Sequence, residues 1–92
     1  MSQITFPDAR PAYCAAGPSL QCSAQVGDHP ATYEVTAEAL ESHFGARSYL
    51  YEDLLSAYDH HRPAIEGVAR DVFEMTGSRN ITLHSGHFRF GV

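Results

Sequence analysis

The stretch that decides the fold is Tyr33-Glu34-Val35-Thr36-Ala37-Glu38-Ala39-Leu40-Glu41-Ser42-His43-Phe44-Gly45-Ala46, because it contains a strand end, a helix start and a helix stop. Thr36 predicts the start, since its hydroxyl can accept a hydrogen bond from a free N–H of the first turn. Gly45 predicts the stop, because glycine readily adopts the left-handed conformation that ends many helices. A helix of about two turns is marginal alone in water. We therefore expect Leu40 and Phe44, which share one face, to pack against a sheet.

The residues before this helix predict short strands. Residues 20–26 alternate between apolar and polar side chains, which is typical of a sheet with one dry face. Gly27-Asp28-His29-Pro30 predicts a hairpin turn, and residues 31–35 return as the partner strand. Weaker strands are predicted at residues 4–6 and 12–15.

The residues after the helix predict a long helical segment, with Ser48 as its N-cap. Apolar side chains follow with helical period, and the stripe stays in phase across Pro63. Pro63 either kinks one helix running from about Tyr49 to Met75 or separates two helices. The stripe consists of Tyr51, Leu54, Leu55, Tyr58, Ile65, Val68, Ala69, Val72 and Phe73.

The C-terminal residues predict a last strand beginning at Ile81-Thr82-Leu83. Phe88 and Phe90 have the opposite parity, which predicts a bulge at Ser85-Gly86. Together the patterns predict one α+β domain over residues 1–92. Its small antiparallel sheet of four to five short strands packs against a short helix and a long kinked helix.

Composition excludes several classes of protein. The chain has 11 acidic and 6 basic residues, and the basic ones are scattered arginines. A nucleic-acid surface needs clustered positive charge, so we expect no nucleic acid as partner. No apolar run approaches the ~18 residues of a membrane span. The N-terminus lacks the pattern of a signal peptide, which predicts a cytoplasmic protein with Cys14 and Cys22 as reduced thiols.

Several motifs resemble a small bacterial family known as domain of unknown function 1488. The residues that carry the resemblance are Ile4-Thr5-Phe6-Pro7, Glu38-Ala39-Leu40-Glu41 followed by His43-Phe44-Gly45-Ala46, Arg62-Pro63-Ala64-Ile65-Glu66, and Ile81-Thr82-Leu83. The sequence departs from the family at His61, where Asn is common, and at residues 84–88, where an Arg-Thr-x-Asp-Phe pattern is usual. The resemblance implies the fold and a bacterial cytoplasmic origin, but no catalytic residue.

The six histidines suggest one alternative, a small enzyme or a metal-dependent activity. His84 and His87 have chelating spacing only if the predicted bulge turns both rings to one side, and His43 lies near the end of the first helix. Neither a Cys-x-x-Cys nor a His-Glu-x-x-His pattern is present. We therefore expect no metal and no cofactor, with the histidines in solvated or capping positions.

We expect a non-catalytic binding or accessory module whose partner is another protein or a second copy of the chain. The partner-binding candidates are aromatic or cationic: Arg62, Tyr49, Tyr51, Phe88 and Phe90. Tyrosines are enriched at interfaces because they bury a ring while keeping a hydroxyl bonded. Arg62 has a second interpretation, a bridge to Asp59 or Glu66 on its own helix. A homodimer is expected through open strand edges.

Overall fold

A computed structural model of the chain describes residues 3–88. Phe90, one of the predicted partner-binding residues, lies outside this range. The elements are β1 (Ile4–Thr5), β2 (Ala12–Cys14), β3 (Ser19–Val26), β4 (His29–Thr36), α1 (Ala37–Phe44), α2 (Tyr51–His60), α3 (Arg62–Thr76), β5 (Asn80–Leu83) and a 3₁₀ helix (Ser85–Phe88). The prediction of an α+β fold is confirmed. Within residues 3–88, no helix combines the length and apolar character needed to cross a bilayer.

Strands β3 and β4 form the predicted hairpin at the centre of the sheet. Their antiparallel register runs from Ser19 opposite Thr36 to Val26 opposite His29. Gly27, with φ 61°, supplies the positive φ that two-residue hairpin turns require. Strands β1 and β2 both pair with the outer edge of β3, near its two ends.

The alternation along β3 and β4 gives the sheet one dry face and one wet face. The inward side chains are buried and form the floor of the core: Leu20, Cys22, Ala24, Ala31, Tyr33 and Val35. The intervening side chains of β3 are exposed: Gln21, Ser23 and Gln25. The one-face pattern predicted for residues 20–26 is therefore confirmed.

Strand β5 runs parallel to β4, so the sheet is mixed and the prediction of a wholly antiparallel sheet is wrong at this strand. Helices α1, α2 and α3 lie between the two strands in the chain and return it to the end of the sheet where β4 begins. Arg79 O accepts a hydrogen bond from Thr32 N there, at 2.8 Å. Parallel neighbouring strands need such a crossover connection. The alternation of side chains within a strand does not reveal whether the strand runs parallel or antiparallel to its neighbour, so the sequence pattern could not predict the direction of β5.

Helices α2 and α3 are separate, so the alternative of two helices is correct and that of one kinked helix is wrong. They meet at His61, whose φ and ψ of −123° and 19° are not helical. Pro63 lies in the first turn of α3, where its missing N–H costs nothing. In a continuous helix the same ring would clash with the carbonyl four residues earlier.

The ends of α1 follow the predicted capping residues. The hydroxyl of Thr36 accepts a hydrogen bond from Ala39 N at 3.1 Å, and Gly45 adopts φ 74° while donating to Leu40 O. Ser48 is not the N-cap of α2, because the helix begins at Tyr51 and Leu50 occupies the cap. The Ser48 hydroxyl instead accepts from Leu50 N at 3.1 Å and donates to Asp53 Oδ2 at 2.6 Å.

The core lies between the dry face of the sheet and the three helices. Leu54 and Phe73 of the predicted stripe are buried, whereas Leu55 is only half-buried. The largest buried side chains are Tyr33 from the sheet and Tyr58 from α2, and their hydroxyl oxygens lie 2.7 Å apart. This hydrogen bond satisfies two polar groups that burial removes from water.

Candidate functional site

Three exposed large apolar side chains belong to β2 and to the loop before α2, two segments that meet where the Tyr13 hydroxyl reaches Tyr49 O. Tyr13, Tyr49 and Leu50 are 42%, 40% and 63% exposed, and among residues 3–88 the one other large apolar side chain in this class is Met75, at 81%. We call Tyr13, Tyr49 and Leu50 the tyrosine patch. Single exposed apolar residues are ordinary, whereas several of them on neighbouring segments make a candidate binding surface.

Hydrogen bonds between distant parts of the chain hold the tyrosine patch in place. Tyr51, at the start of α2, donates its hydroxyl to Pro11 O at 2.7 Å. The ring of Tyr13 meets that of Tyr51 edge-on, with centroids 6.1 Å apart. The Tyr13 hydroxyl also reaches Tyr49 O, at 3.4 Å. These contacts join the segment around β2 to the start of α2, the two parts of the chain that carry the patch.

The loop over residues 45–50 explains why Tyr49 and Leu50 face outward. Gly45 ends α1, and Ala46 then turns into the core, where it is buried and donates its N–H to Leu40 O at 3.1 Å. Ser48 bonds forward to Leu50 N and to Asp53 Oδ2, and the side chains of Tyr49 and Leu50 lie on the outside of this turn. The exposure thus follows from the loop rather than from the apolar periodicity of α2.

The surroundings of the tyrosine patch are acidic. The pKa of the Tyr49 hydroxyl is raised, first by partial loss of solvent and then by the negative charges of Glu41 and Glu38. Both glutamates are exposed, as is Glu52 in the first turn of α2. Arg47 is the one arginine in the loop between the helices. The patch therefore combines aromatic surface with a rim of negative charge.

Arg62 is engaged within the molecule at each guanidinium nitrogen. Its Nε donates to Glu66 Oε2 at 2.7 Å, one terminal nitrogen to Asp8 Oδ1 at 3.1 Å, and the other to Pro7 O at 2.8 Å. The guanidinium carbon also lies 5.7 Å from the ring centre of Tyr58. Its pKa is raised, chiefly by the bond to Glu66. The bridge to Glu66 is thus present, and Arg62 ties α3 to the segment after β1.

Phe88 is 9% exposed and packs at the end of α1. Its ring meets that of Phe44 at a centroid distance of 5.1 Å and that of His43 at 6.0 Å. The predicted bulge at Ser85-Gly86 is wrong, because the strand ends at Leu83 and a 3₁₀ helix turns Phe88 inward. A short helical turn changes the side-chain direction as a bulge would, so parity alone does not separate the two.

The histidines of the alternative hypothesis lie near the same end of the molecule. His43 Nε2 lies 3.0 Å from the hydroxyl of Ser85. The rings of His84 and His87 stack with centroids 5.8 Å apart, and His87 Nδ1 accepts from His84 N at 2.8 Å. No group of three or more potential metal-binding side chains is found in the described part of the chain.

The polar groups of the core are held in their neutral forms. Burial raises the pKa of the Cys22 thiol to about 12, although hydrogen bonding to Tyr58 and Tyr33 opposes the shift. Burial also raises the pKa values of both tyrosine hydroxyls. A thiol of this kind is protonated at neutral pH, and a thiol is a poor nucleophile. Cys22 therefore suits packing rather than covalent catalysis.

An open groove of about 580 Å³ lies between the end of α1 and the outer side of α2. Its polar side chains are partly engaged with their own neighbours. His60 Nδ1 lies 2.7 Å from Ser56 O, and Asp53 accepts from Ser48. Arg47 and His61 complete its basic lining. Since the exposed large apolar side chains lie outside this groove, we place the candidate site at the tyrosine patch.

The outer edge of β5 is partly closed by a side chain. In a parallel pair, every second residue of a strand directs its backbone N–H and C=O toward the neighbouring strand. Arg79 O accepts from Thr32 N of β4, so the backbone N–H and C=O of Asn80 and Thr82 point away from β4. The Ser78 hydroxyl accepts from Asn80 N at 3.2 Å and donates to Asn80 O at 2.9 Å. Within residues 3–88, the backbone groups of Thr82 show no such partner.

Of the three residues of the tyrosine patch, one, Tyr49, is among the partner-binding candidates predicted from the sequence. Tyr49 and Tyr51 were expected at an interface, and they lie in the patch and beneath it. Tyr13 and Leu50 were missed. The contact between Tyr13 and Tyr51 joins residues far apart in the chain, so no local pattern could reveal it. An apolar Leu50 between two tyrosines predicts core as readily as surface.

Comparison with known proteins gives one match. The model of a family described as a protein of unknown function (DUF1488) matches residues 4–83 of the chain. Searches of curated proteins and of solved structures gave no significant match. The resemblance seen in the motifs is therefore confirmed over most of the chain.

Proposed function

The chain belongs to the DUF1488 family, and we propose that it is a non-catalytic module that binds another protein through the tyrosine patch. The observation that carries this proposal is the grouping of Tyr13, Tyr49 and Leu50 on one braced surface. Aromatic residues dominate the energetics of protein interfaces, and a preformed surface loses little entropy on binding.

The arrangement of the titratable groups supports binding over catalysis. The groups with clearly raised pKa values in the core are Cys22, Tyr33 and Tyr58, and burial keeps them neutral. An active site instead gathers such groups in an accessible cleft. The histidines that would serve an enzyme, His43 and His87, bond to Ser85 and to the backbone of His84.

A second copy of the chain is the other candidate partner, and Thr82 favours it. Its N–H and C=O lie on the outer edge of β5, where an added strand would find them. The strand carries no charge and no proline that would discourage pairing. Ser78 limits strand pairing at this edge, because its hydroxyl already hydrogen-bonds to the outward-pointing N–H and C=O of Asn80.

We place this function in the bacterial cytoplasm, as the family resemblance implies. Cys14 and Cys22 support a reducing compartment, since both are free thiols. Cys14 lies opposite Ser19 in the sheet, whereas Cys22 lies farther along β3 and faces the core. Fractionation of cells producing the protein tests the location, and recovery from the periplasm or the membrane would contradict it.

Affinity capture with matched variants tests the binding function. The wild-type chain, Leu50→Glu and Met75→Glu serve as baits in bacterial lysate. Leu50 and Met75 are both exposed, so either position can accommodate a carboxylate. Only Leu50 belongs to the patch. We expect a protein that the wild type and Met75→Glu retain and that Leu50→Glu loses. Equal retention by all three baits would contradict binding through the patch, and equal melting temperatures verify the folds.

A further inference from the structure

We propose that the tyrosine patch recognises a partner segment in which arginine or lysine side chains flank an apolar anchor. This inference rests on the proposed function and adds the chemistry of the partner. Leu50, the most exposed member of the patch, offers the apolar contact, while Tyr13 and Tyr49 offer aromatic rings. A guanidinium or ammonium group is attracted to the face of such a ring.

The charges around the patch select a basic partner. Glu38 and Glu41 are exposed on α1, the helix that ends directly before the loop carrying Tyr49, and their negative charges raise the pKa of the Tyr49 hydroxyl. Glu52 follows Tyr51 directly and is exposed. A cation at the patch therefore meets both a ring and carboxylates, and those attractions reinforce each other. Charge complementarity of this kind chiefly sets the partner and the rate of association.

The basic residues nearby do not reverse this preference. Arg47 lies two residues before Tyr49, and Arg10 precedes Pro11. Against these two arginines stand Glu38, Glu41 and Glu52, with the whole chain at a formal charge of −5. A second copy of the chain would bring the same acidic rim and the same net charge. Repulsion between like charges thus disfavours a copy as the occupant of the patch.

A peptide titration tests this inference. The probe is a synthetic peptide that alternates leucine and arginine, and its control replaces every arginine with citrulline, which keeps the shape but lacks the charge. Binding is followed by the NMR signals of the tyrosine rings and by calorimetry at low and high salt. We expect the arginine peptide to bind, to shift the signals of Tyr13 and Tyr49, and to weaken as salt rises. Equal affinity of the citrulline peptide would overturn the inference.

Paired variants separate the rim from general acidity. Glu38→Gln with Glu41→Gln removes two charges beside the patch, and Asp71→Asn with Glu74→Gln removes two exposed charges from α3. We expect the first pair to weaken arginine-peptide binding about three- to tenfold and the second to change it little. Equal effects of the two pairs would overturn the inference.

The two proposals fail in different ways. Partner capture that depends on Leu50 but not on Glu38 and Glu41 would remove the basic-partner inference and leave the binding module intact. Capture that does not depend on Leu50 would remove the binding function through this surface. Peptide binding that leaves the signals of Tyr13 and Tyr49 unmoved would likewise overturn the assignment of the basic segment to the patch.

Discussion

The buried pair of tyrosines shows how single hydroxyls affect the stability of this core. Tyr33 and Tyr58 have almost no exposure, and their oxygens lie 2.7 Å apart. Each ring fills core volume, but each hydroxyl must find a partner because water is excluded. The rings of Phe6 and Phe73 meet Tyr33 edge-on, at 5.7 Å and 6.3 Å. The position therefore requires both a large aromatic ring and a paired hydroxyl.

Tyr58→Phe should lower the free energy of unfolding by about 1–3 kcal/mol, because it leaves the buried Tyr33 hydroxyl without this bond. Urea unfolding measures the effect. Tyr13→Phe is the matched control, since its exposed hydroxyl makes only a 3.4 Å contact, and a change of less than about 0.5 kcal/mol is expected there. Adding Tyr33→Phe to Tyr58→Phe should recover part of the loss. Equal effects of the two single variants would show that burial does not govern this bond.

At the scale of elements, the stripe of α2 distinguishes two adjacent leucines. Leu54 is fully buried against the sheet, whereas Leu55 is half-buried beside the segment that contains Arg10 and Pro11. The apolar pattern in the sequence includes both residues. Their different burial follows from the helix geometry, because adjacent side chains point about 100° apart around the axis and only one of them can face the core squarely.

Leu54→Ala should therefore destabilise the fold by about 2–5 kcal/mol, and Leu55→Ala by about 1 kcal/mol or less. The two substitutions remove the same atoms from neighbouring positions of one helix, so they differ mainly in burial. Thermal or urea unfolding of both variants gives the comparison. A larger loss at Leu55 would mean that α2 is rotated about its axis so that Leu55, and not Leu54, faces the core.

The edge of β5 allows self-association to be tested at a single residue. Proline at position 82 removes an N–H that points away from β4, so the parallel ladder should survive Thr82→Pro. If copies pair through β5, sedimentation at rising concentration should show the 10.1 kDa chain doubling in mass, and Thr82→Pro should abolish the doubling. A dimer that survives in Thr82→Pro would place its interface elsewhere, and a wild-type monomer at all concentrations would refute self-association.

Local sequence signals account for much of this fold. Thr36 and Gly45 end α1 as predicted, and Gly27 turns the central hairpin, because each of these roles depends on the residue and its immediate neighbours. The direction of β5, the break at His61 and the 3₁₀ helix depend instead on how distant elements pack. The site divides in the same way, since Tyr49 and Tyr51 are recognisable by type whereas Tyr13 joins them only in three dimensions.

At the scale of the whole molecule, the described residues 3–88 present surfaces of different character. The outer face of the sheet carries small polar side chains such as Gln21 and Ser23, and the edge of β5 is partly closed by Ser78. Among residues 3–88, the tyrosine patch combines exposed aromatic rings, an apolar side chain and a charged rim. A chain with a formal charge of −5 suits a partner that is basic, and its net charge discourages non-specific association between copies.

Site-specific photo-crosslinking in living bacteria tests the central claim, that the tyrosine patch is the surface that binds another protein. A photoreactive phenylalanine derivative replaces Tyr49 in one variant and the exposed Met75, outside the patch, in the other. We predict that illumination yields a discrete adduct with a second protein from position 49 and none from position 75. The absence of any adduct at position 49, or the same adducts from both positions, would contradict the account.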